Sequence, residues 1–293
     1  MFKILDGKAL ASKIRQNIKE EVNKLTELDL TPTLAVIQIG DDKASSIYVK
    51  NKSKACEEVG INFLDYKFAK DTSYKTLSML ISDLNNDNEI DGILIQQPIP
   101  NHLKGIEQLI SPTKDVDGFT YNNIGKYVTN NSDFIPCTTL GILALLKEYN
   151  IEVEGKHIVI IGRSNIVGKP TLLNLLNNNA TVTICHSKTK NLKDITLTAD
   201  ILITAIGKSN FIDSNYIKDD IEAIIDVGIN RDKNNKITGD CDLNSIINRW
   251  IFQEEEIGDN MTHYITPVPG GVGPLTIAFL LNNIVEAVKQ YNL

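Results

Sequence analysis

The sequence predicts an α/β protein of two domains, the second built on a doubly wound parallel sheet. Three observations carry this. The 293 residues suffice for two separate cores. Short apolar runs alternate with helix-periodic segments, the pattern of a parallel or mostly parallel sheet. Finally, His157-Ile158-Val159-Ile160-Ile161, then Gly162-Arg163-Ser164-Asn165-Ile166-Val167-Gly168-Lys169-Pro170, then Thr171-Leu172-Leu173-Asn174-Leu175-Leu176 read as a strand, a glycine turn and a helix start. A phosphate can sit at such a turn, because free backbone N–H groups and the helix dipole both favour an anion there.

In chain order, Leu10, Ile14, Ile18, Val22 and Leu25 fall at helical spacing and predict an amphipathic helix from Gly7 to about Leu28. Thr33 to Gly40 reads as a buried strand. Asp42-Lys43-Ala44-Ser45-Ser46 offers caps for a helix from Ile47 to Val59, with Gly60 as its stop. On that helix Tyr48 and Lys52 are i and i+4 and share one face. A strand is predicted at Asn62 to Phe68, a helix at about Tyr74 to Leu84 and a strand at Asp91 to Ile95, running out into Gln96-Gln97-Pro98-Ile99-Pro100. Amides and prolines at the carboxyl end of a buried strand lie where open α/β sheets bind ligands. A short helix near Leu103 to Leu109 precedes a polar loop, Ser111 to Phe119, that holds Asp115 and Asp117.

Cys137-Thr138-Thr139 starts an apolar helix, Leu140 to Tyr149, that crosses into the second domain. Its strands are predicted near 157–161, 181–185, 201–205 and 223–227, the last ending in Asp226-Val227-Gly228-Ile229-Asn230. Trp250 to Met261 is an acidic stretch without an assignable element. Thr266-Pro267-Val268-Pro269-Gly270-Gly271-Val272-Gly273-Pro274 is a rigid loop whose backbone can approach a ligand closely, and it caps a helix from Leu275 to about Tyr291. That helix is expected to return to the first domain.

Composition excludes several classes. A net charge of −7 argues against non-specific nucleic-acid binding, so an anionic ligand needs a local site. Cys56, Cys137, Cys185 and Cys241 are scattered with no C-x-x-C pair, so neither a metal site nor a disulfide framework is expected. The N-terminus lacks a long apolar region, and no run reaches about 18 uninterrupted apolar residues. A cytoplasmic protein without a membrane partner is the expectation.

The next strand, Ala180 to Cys185, sharpens the turn. A NAD-binding unit places Asp or Glu at its end to hold the ribose 2′-hydroxyl. Here the end reads His186-Ser187-Lys188-Thr189-Lys190, with no carboxylate to oppose a 2′-phosphate and with Arg163 nearby, which favours NADP. A plain structural turn and a solvated loop with surface lysines at 188 and 190 remain the alternative reading.

The pair Tyr48 and Lys52 suggests a short-chain dehydrogenase, but it precedes the nucleotide unit by more than 100 residues, which counts against that assignment. As a bare pattern it describes an amphipathic tyrosine and a snorkelling lysine. Taken together, however, eight blocks in order resemble the bifunctional 5,10-methylenetetrahydrofolate dehydrogenase and 5,10-methenyltetrahydrofolate cyclohydrolase family. They are Tyr48-Val49-Lys50-Asn51-Lys52 with Ala55 to Gly60, Gln96-Gln97-Pro98, Lys114-Asp115-Val116-Asp117-Gly118, Pro136-Cys137-Thr138, Gly162-Arg163-Ser164 with Val167-Gly168, His186-Ser187-Lys188-Thr189, Asp226 to Asn230 and Pro267 to Pro274.

The resemblance implies an N-terminal α/β catalytic domain (1–136 plus 274–293), a Rossmann-like doubly wound NADP-binding domain (137–273), a cleft between them and a homodimer. It implies oxidation of the folate methylene bridge by NADP, then hydrolysis of the methenyl group to the 10-formyl compound. Lys52 would handle protons in the hydrolysis, Gln96 would orient its amine, Tyr48 would stack on the aminobenzoyl ring and Asp117 would bind the pterin. Pro269, Gly270 and Gly271 would line the substrate. Gly162, Arg163, Ser164, Val167, Gly168, Ser187 and Ile229 would hold the cofactor, with Ile229 as a lip over the nicotinamide. No metal is implied. Thr139, Gly239-Asp240-Cys241 and the acidic stretch depart from the family pattern. Competing expectations are a monofunctional NAD-dependent dehydrogenase, a non-catalytic NADP-binding protein and a shikimate-type dehydrogenase.

Overall fold

The computed structural model describes residues 1–257 and 261–292. The chain divides into two units, one from Met1–Ala11 and Thr138–Thr276, the other from Ser12–Cys137 and Ile277–Leu293.

The second of these is built on a three-stranded parallel sheet with β2 (Thr33–Ile39) between β3 (Asn62–Phe68) and β4 (Gly92–Ile95). All of β2 is buried, which is why it reads as a continuous apolar run rather than an alternating one. Its two faces nonetheless do different things. Leu34 and Val36, with Leu94, join a cluster with Ile18, Val22 and Leu25 of α1 (Gly7–Thr26) and Cys56 and Val59 of α2 (Lys43–Val59). Ala35, Ile37 and Ile39 pack on Leu77, Ile81 and Leu84 of α3 (Tyr74–Asn86). Helix α2 starts where Asp42 accepts the Ser45 N–H and stops at Gly60, whose φ of 86° is the left-handed conformation glycine tolerates.

Two 3₁₀ turns, Asn101–Leu103 and Ile106–Leu109, stand where a single short helix is predicted, separated by Gly105 at φ 91°. Helix α4 (Tyr121–Val128), unforeseen in the sequence, is capped by Thr120. At the start of α5 (Cys137–Glu148) the chain enters the other unit, and it returns through α9 (Val272–Tyr291). Helix α9 is long and apolar enough to cross a bilayer by length and composition. Its Leu280, Leu281, Ile284, Val285 and Val288 are buried in the same cluster as α2, which is the predicted return.

The other unit holds a six-stranded parallel sheet in the order β1, β11, β8, β7, β5, β6. In chain order its elements are β1 (Phe2–Ile4), β5 (His157–Ile161), α6 (Gly168–Asn177), β6 (Thr181–Cys185), α7 (Leu192–Thr196), β7 (Ile201–Thr204), β8 (Ala223–Asp226), a β9–β10 hairpin (Asn230–Arg231, Ile237–Thr238), α8 (Leu243–Phe252) and β11 (His263–Ile265). Since β5 lies between β6 and β7, the strand order reverses there, and the crevice at its carboxyl end is a topological switch point.

The N-terminal residues fall in a different structural unit from the expected 1–136. Residues 1–11 belong with the six-stranded sheet, because β1 pairs with β11 in parallel register, Phe2 opposite His263. Strands of three residues show no legible periodicity, so neither could be found in the sequence. The stretch left unassigned begins inside an element: Trp250 lies in the last turn of α8, is buried, and stacks on His263 with ring centroids 4.8 Å apart. Residues 253–257 form one π-helical turn, and 258–260 lie outside the described residues.

Candidate active site

The side chains expected to carry the chemistry converge in the three-stranded unit. Lys52 lies on α2 and Gln96 just past β4, and the Lys52 ammonium donates to Gln96 Oε1 at 2.9 Å. The Gln96 side-chain amide in turn donates to the Gln97 carbonyl, which also accepts from Ser45 Oγ at the start of α2. The loop after β4 and the N-terminus of α2 are thereby tied together, which fixes the height of Lys52 against Gln96. The Gln97–Pro98 peptide bond is cis.

Asp117 faces the same amine. Burial raises its pKa, opposed by the Lys52 charge. Burial likewise lowers the pKa of Lys52, and Asp117 opposes that shift. The two charges support each other only in part, and the site remains poised toward neutral forms of both. Cys137 Sγ donates to Asp117 Oδ1 at 3.5 Å, and burial with the adjacent carboxylate pushes this thiol well above its ordinary range. Cys56, one turn after Lys52, is pushed up to about 12 by burial. Both cysteines are inert, uncharged neighbours of the lysine. Tyr48 stands one turn before Lys52, half-buried, with its hydroxyl pKa raised by burial.

In the six-stranded unit, the Gly162 turn follows β5. Gly162 has φ 132°, and a Cβ there would lie 2.3 Å from the Ala205 carbonyl oxygen. A Cβ on Gly168 would lie 2.0 Å from the Gly162 oxygen, so both positions exclude side chains. Ser164 Oγ accepts the Val167 N–H, and helix α6 opens with no side-chain cap. Beyond β6, the His186 N–H donates to Thr189 Oγ1, closing a turn that carries Ser187. Pro269 to Gly271 also belong to this unit, after a cis Val268–Pro269 bond, with the Gly270 carbonyl accepting from Lys8 N–H. A Cβ on Gly7 would lie 1.9 Å from the Gly271 oxygen, which accounts for the glycine of Leu5-Asp6-Gly7. Among the described residues no three His, Cys, Asp or Glu side chains are grouped to hold a metal ion.

Residues 5–117 match the tetrahydrofolate dehydrogenase/cyclohydrolase catalytic domain and residues 136–292 match the NAD(P)-binding domain of the same family. The chain belongs to the tetrahydrofolate dehydrogenase/cyclohydrolase family. It is 48% identical to the bifunctional protein FolD of Agathobacter rectalis, over 99% of this chain and 100% of that protein. Among solved structures, the bifunctional FolD methylenetetrahydrofolate dehydrogenase/cyclohydrolase of Campylobacter jejuni superposes with a TM-score of 0.92 at 44% identity, covering 99% of each chain. The Trypanosoma brucei enzyme, complexed with NADP cofactor and inhibitor, does so with 0.88 at 30% identity, covering 98% of this chain and 97% of that one.

As a member of this family the chain is a bifunctional enzyme, a methylenetetrahydrofolate dehydrogenase and a methenyltetrahydrofolate cyclohydrolase. Its structure brings Lys52, Gln96 and Asp117 together and sets Tyr48 on the same helical face as Lys52. It places the Gly162 turn, Ser187, Ile229 and Pro269–Gly271 in the six-stranded unit. Two buried polar residues that support these segments are not singled out by the sequence. Asn283 of α9, almost fully buried, donates to the Val116 and Ile135 carbonyls and to Cys137 Sγ, bracing the Asp117 segment from a distant part of the chain. Gln38 of β2, also buried, donates to Ser46 Oγ at the head of α2. Gln38 is a lone amide inside an apolar run and Asn283 one of two adjacent asparagines in an apolar helix, and only the tertiary partner gives them meaning.

Proposed function

We propose that NADP is the hydride acceptor of the dehydrogenase and that Lys52 is the proton-handling residue of the cyclohydrolase. The observation that carries the second assignment is the hydrogen bond from Lys52 Nζ to Gln96 Oε1. A neutral amide holds and aims the amine without the pKa-raising effect of a carboxylate. Burial lowers the lysine pKa, and a cationic methenyl substrate would lower it further, supplying the free amine that a general base needs near neutral pH. Lys52 would then take the proton of the attacking water and return it as the ring opens. Asp117 would receive pterin N–H donors, and Tyr48 would offer its ring to the aminobenzoyl group.

The turn after β5 suits a dinucleotide: α6 starts without a side-chain cap, and glycines at 162 and 168 let the backbone come close to a pyrophosphate. When bound, NADP supplies the hydride acceptor. The folate nitrogen lone pair drives the transfer, so this chain's task is positioning. Arg163 and Ser187 would receive the 2′-phosphate, since no carboxylate follows β6. Val167 and Ile229 would pack against the nucleotide, and Pro269 to Gly271 would line the substrate. We further read the protein as a cytoplasmic homodimer.

The test follows reduced cofactor and the methenyl chromophore separately, for wild type and Lys52→Ala, with NADP or NAD. The expected result is NADP reduction by both proteins and clearance of methenyl-folate by wild type alone. Equal clearance by the lysine variant would remove Lys52 from the hydrolysis, and a preference of wild type for NAD would overturn the cofactor assignment.

A further inference from the structure

Two buried carboxylates interlock at the carboxyl ends of β7 and β8. Asp240 is fully buried and serves neither as a catalytic residue nor as a cofactor contact in the reading above. Its Oδ2 accepts the backbone N–H groups of Ile206 at 2.6 Å and Gly207 at 3.3 Å, and its Oδ1 accepts Lys208 N–H at 2.8 Å and the Asn230 side-chain amide at 2.9 Å. Asp226 Oδ1 accepts from Thr204 Oγ1, Gly228 N–H and Asp240 N–H, and its Oδ2 accepts Cys241 N–H.

The packing is reciprocal. A Cβ on Gly228 would lie 2.3 Å from Asp240 Cγ, and a Cβ on Gly239 would lie 2.0 Å from Asp226 Oδ2. Each carboxylate thus occupies the side-chain space of the glycine beside the other strand end. The segments Asp226-Val227-Gly228 and Gly239-Asp240-Cys241 are therefore one structural unit, although they stand apart in the chain.

The segments this unit holds border the switch point. Three consecutive amides, Ile206 to Lys208, form a nest around the Asp240 carboxylate, with Gly207 at φ 73°. The preceding residue, Ala205, presents its carbonyl oxygen to Gly162 of the phosphate turn. Asp240 also grips Ile229 from both sides, through the close approach of Gly228 and the hydrogen bond to Asn230. We propose that Asp240 is a positioning residue for hydride transfer: by fixing residues 205–208 and the Gly228-Ile229-Asn230 exit from β8, it holds the backbone that frames the nicotinamide end of the cofactor. The inference rests on the reading that the six-stranded unit binds NADP across its switch point.

Asp240→Asn keeps the shape but turns one acceptor into a donor facing amides already committed as donors, so that edge of the nest opens. The measurement is the full kinetics of both reactions. The expected result is a rise of about tenfold or more in the NADP KM with a fall in dehydrogenase kcat, while cyclohydrolase kcat stays within about twofold. Asn230→Ala releases a single bond and decides the matter if the first variant fails to fold; about a threefold rise in the NADP KM with cyclohydrolase retained is expected. A buried carboxylate that only stabilised the fold would lower both activities in proportion to the folded enzyme and leave KM unchanged. Equal losses in the two reactions, or an unchanged NADP KM in the soluble variants, overturn the proposal. Wild type assayed beside them with NADP and NAD separates this failure from a wrong cofactor: if NAD is preferred, the KM shift appears with NAD instead.

Discussion

Lys52 and Gln96 approach to 2.9 Å from different elements, the lysine from the middle of α2 and the glutamine from the loop after β4. The partner is an amide where a carboxylate would have been the commoner mate for an ammonium. Burial lowers the amine pKa, and the neutral amide adds no charge to oppose it. If the free amine is the working form, cyclohydrolase kcat rises with pH through an apparent pKa below the ordinary lysine value of 10.5, because deprotonation creates the base. Gln96→Glu would stabilise the ammonium and move that rising limb to higher pH. A pH profile of the variant lying on top of wild type would contradict this.

Asp117 gives a prediction on stability with the opposite sign to that of a typical carboxylate. Its pKa is raised by burial, so the folded state holds the proton more tightly than the unfolded chain. The neutral form is favoured at low pH, and stability is lost as pH rises through the folded pKa. Asp117→Asn should therefore melt higher than wild type near pH 7, with the gain shrinking as the pH falls toward the ordinary value of 3.8. Folate KM should rise, because an amide cannot accept two pterin N–H donors. Melting curves at several pH values, paired with folate titrations, check both halves.

The glycine turn offers a steric test. Gly162→Ala puts a Cβ 2.3 Å from the Ala205 oxygen at φ 132°. Strain of about 1–3 kcal/mol is expected in urea unfolding, together with loss of dinucleotide binding. Unchanged stability would mean that the turn relaxes freely.

Cofactor choice is addressed at the end of β6. Ser187→Asp introduces the carboxylate missing there, and NADP kcat/KM should drop by about tenfold or more while NAD use holds or improves. Equal effects on the two cofactors would place the 2′-phosphate elsewhere.

Asn283 links α9 to the Asp117 segment through two carbonyls and the Cys137 thiol. Asn283→Ala removes this amide donor, leaving the Val116 carbonyl only the weak Cys137 thiol, and should cost about 1–3 kcal/mol in chemical denaturation.

Much of the fold was legible because its long elements are locally consistent. The run Thr33 to Ile39 is apolar but for Thr33 and Gln38, as suits a strand covered on both faces, and Asp42 and Gly60 mark the ends of α2 with the cap chemistry expected of them. The lysine and its amide were legible only as parts of motifs, since neither residue type is unusual where it stands. The 3₁₀ turns either side of Gly105 and helix α4 were missed or misjudged, because elements of one or two turns carry too little periodicity to separate from loops.

By itself the sequence determined the class of fold, the order of the major elements, the glycine turn, and the residues that carry the family resemblance. These depend on local patterns of polarity and backbone freedom, which are written in consecutive residues. Tertiary structure alone decided that β1 joins the six-stranded sheet, that Asn283 braces the Asp117 segment, and that Asp226 and Asp240 fill each other's glycine sites. Each is a contact between residues far apart in the chain, and its energy comes from satisfying a buried polar group or a sheet edge. Nothing in either local segment names the partner.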